Sequence, residues 1–217
     1  MNGVWTAGIA RNDRCAREEG TNHSARLTTR NENVMNRNRA SIRRLAYVGK
    51  KPGVRDSDSW FTPTKYLVAV REVLGRIDLD PFSSDVANME VQARHHYTER
   101  DDAFKQSWLA NSVFMNPPYG KMCRRAVEKC VEEFRNWSFQ NAVVLVNNAT
   151  ETTFFQLLLN AGSAVCFTDH RISFYNSDGK SVSGNTRGQA FFYLSQNPDI
   201  ALFRKVFSPF GKVLPCK

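Results

Sequence analysis

The chain has 217 residues, of which 41% are hydrophobic and 24% are charged, and its formal net charge is +9. These values are ordinary for a globular protein, and the length suffices for one medium-sized domain with a buried core. No apolar run approaches the roughly 20 residues of a membrane span, so we expect no membrane as a partner. The 5 cysteines form no CxxC pair, which favours reduced thiols in a cytosol over a zinc site.

The positive charge is concentrated at the N-terminus. Residues 1–56 contain 12 basic and 5 acidic residues and few large apolar ones, and they lack the apolar core of a secretory signal. We therefore predict a basic, disordered arm over residues 1–56 and a folded domain over residues 57–217. The charge of the arm suits contact with a polyanion, but a solvated leader is equally compatible with it.

Periodic structure is predicted to begin near residue 60. A helix should follow Pro63, capped by either Thr62 or Thr64, and Gly75 should end it. Residues 77–80 read as a short strand that a proline ends, and residues 83–100 as a loop with one helical stretch.

The second half of the domain alternates strands and helices. We predict strands over 113–115, 142–146 and 164–168, helices over 121–137, 152–161 and 198–207, and a terminal antiparallel pair of 172–175 with 190–194. Alternation of this kind predicts an α/β fold with a mostly parallel sheet, helices on both faces and a C-terminal antiparallel strand.

Two predicted strands end in side chains that carry chemistry. In doubly wound sheets, ligands lie at the carboxyl ends of the strands, where this chain has Asp80 and the turn Asn116-Pro117-Pro118-Tyr119. The Asn116 side chain and the Pro117 carbonyl offer two neighbouring acceptors, which match an amino group with two hydrogens. The ring of Tyr119 can stack on a base that has been taken out of a duplex.

An ordered set of short motifs resembles the phage-type Dam-like DNA N-6-adenine methyltransferases from about residue 57 to 195. The motifs are Trp60-Phe61-Thr62-Pro63, Leu79-Asp80-Pro81-Phe82, Asp101-Asp102-Ala103-Phe104 with Trp108, Phe114-Met115-Asn116-Pro117-Pro118-Tyr119-Gly120, and Arg171-Ile172-Ser173-Phe174. The resemblance implies a Rossmann-like methyltransferase fold, S-adenosylmethionine as methyl donor, no metal, and double-stranded DNA as substrate. It also implies a bacterial cytoplasm and a phage or prophage origin.

The same resemblance assigns roles to individual residues. Those implied to contact the donor are Thr62, Pro63, Asp80, Pro81, Phe82, Asp102 and Phe104, and those implied to act in catalysis are Asn116, Pro117, Pro118 and Tyr119. One departure is that residues 81–85 contain no glycine, whereas many methyltransferases have a glycine-rich turn there.

Several alternatives remain open from the sequence. The amino group of an RNA base or the side-chain amide of protein glutamine suits the same acceptors, and an inert DNA-binding relative would retain the fold. Asp101 and Asp102 could equally begin a helix, and Arg171 could form either a phosphate contact or a salt bridge. We expect Trp60 and Trp108 to be core or hinge residues and His95 and His96 to be exposed rather than metal ligands.

Overall fold

The computed structural model describes residues 61–175 and 187–216, which all belong to one compact unit. The arm predicted over residues 1–56 and Trp60 lie outside the described residues. The helices are α1 (Thr64–Leu74), α2 (Asp85–Val91), α3 (Lys121–Arg135), α4 (Thr153–Ala161) and α5 (Ile200–Phe207). The strands are β1 (Leu79–Asp80), β2 (His95–His96), β3 (Ser112–Met115), β4 (Asn141–Asn147), β5 (Ala164–Thr168), β6 (Gln189–Ser195) and β7 (Gly211–Pro215).

The strands form one seven-stranded sheet in the order β2-β1-β3-β4-β6-β5-β7. The first four strands in this order are parallel, β6 runs antiparallel between β4 and β5, and β7 runs antiparallel to β5. The α/β prediction is therefore confirmed, with a parallel half and antiparallel C-terminal strands. Within the described ranges, no helix is both long and apolar enough to cross a bilayer.

Helices cover both faces of the sheet, and β4 shows why its sequence is continuously apolar. Its residues Ala142, Val144 and Val146 face a core shared with α3 and α4. The intervening Val143 and Leu145 face a second core shared with α1 and α5. A strand covered on both faces has no solvent-exposed position, so every residue from 142 to 146 is apolar and buried.

The predicted terminal pair of 172–175 with 190–194 is wrong. The strand over Gln189–Ser195 instead pairs with β4 and β5, while residues 171–174 form no strand. The amide of Ile172 donates to the Gln189 side chain at 2.8 Å, and Tyr175 forms an isolated antiparallel bridge with Phe61. The apolar side chains of residues 171–174 are nevertheless buried, which explains the strand-like sequence.

The start of α1 also differs from the prediction. Pro63 occupies the N-cap position and no side chain caps the helix, because both threonines are engaged elsewhere. Thr64 Oγ1 donates to Glu90 Oε2 at 2.8 Å, and Thr62 Oγ1 accepts from Asn116 Nδ2 at 3.2 Å. The helix ends at Gly75, as predicted.

Candidate active site

The two turns singled out by the sequence lie at the same edge of the sheet. Strands β1 and β3 are parallel neighbours, with Leu79 opposite Val113, so Asp80 at the end of β1 and Asn116 just after β3 lie at adjacent carboxyl ends. Strand β1 is also flanked by β2 on its other side, so the chain order reverses at this point. A reversal of this kind opens a crevice at the carboxyl ends of the strands, where ligands bind in α/β sheets.

A cleft opens at this crevice, and its empty space of about 320 Å³ includes space open to solvent. The segment before α1, the turn after β1, helix α2 and the end of β3 all contribute to its walls. The lining residues are Phe61, Thr62, Asp80, Phe82, Ser83, Ala87, Glu90, Val91, Phe114 and Asn116.

Asn116, which lines this cleft, has an unused acceptor in its side chain. Its Nδ2 donates to Thr62 Oγ1 at 3.2 Å, whereas its Oδ1 is buried and has no hydrogen-bond partner among the described residues. Leaving such an atom unpaired costs about 1 to 3 kcal/mol. A native fold retains such a cost where a ligand supplies the missing donor.

Asp80 places a carboxyl group in the wall of the same cleft. It is only 3% exposed and forms no ion pair within the described part of the chain. Burial raises the pKa of Asp80 to about 6, although the Phe82 amide, which donates to Oδ1 at 3.2 Å, opposes this shift. A buried carboxylate without a counter-ion favours a cationic ligand.

Aromatic rings pack behind the cleft. The ring of Phe82 lies 5.4 Å from Phe104 and 5.9 Å from the fully buried Trp108. The guanidinium of Arg125 lies over Phe104 at 4.3 Å from the ring centre. Trp108 is therefore a core residue, as predicted, and it supports the Phe82 wall from behind.

The turn after β3 packs its tyrosine inward. The hydroxyl of Tyr119 is buried without a partner among the described residues, and burial raises its pKa. Its ring meets Phe174 edge-on at 6.3 Å. The turn ends at Gly120, whose φ of 81° and ψ of −140° are rarely adopted by residues with a side chain.

A family model now identifies the chain. The model described as DNA N-6-adenine-methyltransferase (Dam) matches residues 50–206. The chain belongs to this family. It is therefore a methyltransferase.

Two further comparisons add little. A solved structure described as the METTL16 MTase domain (crystal form 2) is 12% identical and aligns with a TM-score of 0.35, covering 61% of this chain and 67% of that chain. This likeness is too weak to support an argument. No curated protein matches the chain.

Four of the predicted site residues line the cleft of this methyltransferase, namely Thr62, Asp80, Phe82 and Asn116. The remaining predicted residues do not line it: Pro63, Pro81, Asp102, Phe104, Pro117, Pro118 and Tyr119. Phe104 lies directly behind Phe82. Asp102 begins no helix and pairs with Lys105 at 3.0 Å, accepting also from the Phe104 amide.

Sequence reasoning missed the contribution of α2 to the cleft. Ala87, Glu90 and Val91 lie on this helix, within a stretch that was predicted as mostly loop. The available signal was Ser84, whose hydroxyl accepts from the Ala87 amide and caps the helix. Glu90 lies at the cleft because of tertiary packing, which no local sequence pattern predicts.

His95 and His96 belong to no metal site among the described residues. His95 and His96 make up β2, and His96 Nε2 contacts Asp85 Oδ1 at 2.9 Å. His95 is exposed, as predicted, whereas His96 is half-buried. Among residues 61–175 and 187–216, no group of three or more His, Cys, Asp or Glu side chains is placed to hold a metal ion.

Proposed function

We propose that this methyltransferase methylates N6 of an adenine flipped out of double-stranded DNA, with S-adenosylmethionine as the methyl donor. The single observation that carries this proposal is the buried, unpaired Oδ1 of Asn116 at the cleft. The family match supports DNA as the substrate class.

In the proposed reaction the chain supplies acceptors for the target amine. Asn116 Oδ1 and the Pro117 carbonyl accept the two N6 hydrogens and direct the nitrogen lone pair toward the methyl group. Tyr119 and Pro118 form the neighbouring surface for the base. This arrangement accelerates the reaction through position and electrostatics, since the reacting nitrogen is held before attack.

The cleft has a chemical character that fits the donor. S-adenosylmethionine supplies a methyl group activated by a sulfonium, and it also carries an ammonium. Asp80 offers the buried negative charge that such a cation requires, and the Ser83 side chain lies beside it. We assign Asp80 and Phe82 to direct contact, with Pro63 and Pro81 shaping the adjoining turns.

Asp102 and Phe104 belong to the same proposed donor region. Phe104 packs on Phe82, and the Asp102 side chain remains partly exposed beside it, with 38% of its surface accessible. A carboxylate in this place can accept from an amino group, and a ring can pack on an adenine face. Both roles require the donor to extend beyond the walls of the cleft.

Two buried thiols, Cys123 and Cys130, are unsuited to a covalent mechanism of the cytosine-C5 type, which requires a thiolate. Burial raises the pKa of Cys123 to about 11 and that of Cys130 to about 12. These thiols therefore stay protonated near neutral pH. Direct transfer to an amine needs no such nucleophile.

The proposal is tested by incubating the full chain with tritiated S-adenosylmethionine and either DNA, RNA or protein. We expect label in DNA alone, recovered as N6-methyladenine after digestion. Label in RNA or in glutamine side chains would instead assign the turn to those substrates. Donor binding by calorimetry without any transfer would indicate the inert DNA-binding relative.

A further inference from the structure

Thr62 uses its side chain for something other than helix capping. It lies just before the N-cap of α1 and is 6% exposed, yet its hydroxyl contacts no α1 backbone group. Its one hydrogen bond among the described residues runs across the fold to Asn116 Nδ2, at 3.2 Å. The role of this hydroxyl therefore lies at the cleft rather than in the helix.

The contact matters because a side-chain amide has two different ends. Rotation by a half-turn exchanges the oxygen and the NH2 of Asn116 with little change in shape. With Oδ1 toward the cleft, the side chain can accept a hydrogen from an amine. With Nδ2 there, it would present hydrogens to hydrogens and oppose binding.

A hydroxyl can hold either end of an amide, so its own proton decides which. Thr62 accepts from Nδ2 when its proton points elsewhere, and no acceptor for that proton is found among the described residues. Asp80 and Glu90 line the same cleft, and their charge favours a proton that points toward it. The acidic lining thereby favours the orientation in which Oδ1 stays free.

We propose that Thr62 is a positioning residue that orients the Asn116 amide for the target amine. This inference rests on the proposed function, since it gives a purpose to the free Oδ1. It also revises the role that family resemblance implied for Thr62, which was contact with the donor. The hydroxyl acts on transfer through Asn116, and its effect on donor affinity is secondary.

The first test compares Thr62→Val, which keeps the shape and removes the hydroxyl, with Thr62→Ser, which restores it. We expect kcat to fall about tenfold to hundredfold in Thr62→Val and less than about threefold in Thr62→Ser. The Kd for S-adenosylmethionine, measured by calorimetry, should change by less than about threefold in both. A weakened Kd with native kcat at saturating donor would assign Thr62 to the donor and overturn the inference.

The second test removes the need for orientation. In Asn116→Asp both carboxylate oxygens are acceptors, so rotating the side chain changes little. In the Asn116→Asp protein, adding Thr62→Val should then lower kcat by less than about threefold. In the protein that retains Asn116, the same substitution should lower kcat by about tenfold or more. An equal cost in both backgrounds would mean that Thr62 acts independently of the amide.

The third test does not depend on activity, so it separates this inference from the proposed function. The side-chain NH2 protons of Asn116 are identified in 15N-labelled protein by their absence in Asn116→Ala. We expect them to exchange about tenfold faster in Thr62→Val and at the native rate in Thr62→Ser. Native exchange in Thr62→Val would overturn the inference, even if methyl transfer to DNA is confirmed.

Discussion

Two aspartates on either side of Leu79 show how differently this fold treats buried carboxylates. Asp78 is 6% exposed and is paired with Arg76 at 2.7 Å and Arg94 at 3.8 Å, and it also accepts from Ser112 Oγ at 3.3 Å. Asp80 is equally buried but forms no ion pair within the described residues. Asp78 therefore joins β1 to its neighbours, whereas Asp80 retains a charge without an ion-pair partner at the cleft.

This difference indicates where a buried side chain lowers the folding stability and favours ligand binding. The raised pKa of about 6 for Asp80, against a model-peptide value of 3.8, corresponds to about 3 kcal/mol by which burial disfavours its ionised form. The unpaired Oδ1 of Asn116 lies in the same cleft. Such costs persist where function opposes stability, and the following experiments use Asp78 as the internal control.

The largest contrast is expected in donor binding. If Asp80 holds the cationic donor as we propose, Asp80→Asn should weaken the Kd for S-adenosylmethionine about hundredfold, because a charge-assisted contact is lost. Asp78→Asn should change this Kd by less than about threefold. Calorimetry with both variants measures the two Kd values. An equal change of Kd in the two variants would mean that Asp80 has no special role in donor binding.

The next contrast is in stability without donor, and it has opposite signs. At pH 7.5, Asp80→Asn should raise the free energy of unfolding by about 2 kcal/mol, since an uncompensated charge is removed. Asp78→Asn should lower it by about 1 kcal/mol, since its ion pairs are lost. Urea denaturation of the three proteins measures this, and a loss of stability in Asp80→Asn would contradict the account.

The pH dependence sharpens the same comparison. The pKa of Asp80 is raised in the folded state, so the stability gained from its protonation is present at low pH and is lost as pH rises from about 4 through about 6. Donor affinity should follow the opposite course and weaken about tenfold per pH unit below about 6. Calorimetry between pH 5 and 8 checks this, and Asp80→Asn should show a flat profile.

The smallest effect concerns two glycine turns, one at the end of α1 and one at the end of the turn that carries Asn116. Gly75 and Gly120 have φ of 74° and 81°, and no atom would crowd a β-carbon at either position. Alanine at either position should therefore cost about 1 kcal/mol in unfolding free energy from backbone strain alone. Only Gly120→Ala should also slow methyl transfer, because it displaces the turn that carries Asn116. Equal rates of methyl transfer in the two variants would show that the geometry of that turn does not affect the reaction.

The sequence predicted the parts of the fold that depend on local pattern. The apolar run of β4 and the prolines after Asn116 specify a buried strand and a turn without reference to any partner. The adjacency of Asp80 and Asn116 followed from the rule for carboxyl ends of parallel strands.

The parts that failed depend on pairing between distant segments. β2 is only His95–His96 and carries no periodicity, and β7 (Gly211–Pro215) is an edge strand that was not predicted. The insertion of β6 between β4 and β5 is a choice among partners that all look alike in sequence. The hydrogen bond from Asn116 to Thr62 joins residues 54 positions apart, and no local sequence pattern predicts it.

The central claim is that Asn116 presents its acceptor to an adenine amine, and N6-methyladenine in cellular DNA measures it most directly. The control is Asn160→Ala, an exposed position on α4 shortly before β5 begins at the opposite edge of the sheet. The account predicts native methylation with Asn160→Ala and a loss of about 10² to 10³ in transfer rate with Asn116→Ala. Equal amounts of N6-methyladenine in DNA from cells that express the native protein and from cells that express Asn116→Ala, at equal amounts of folded protein, would contradict it.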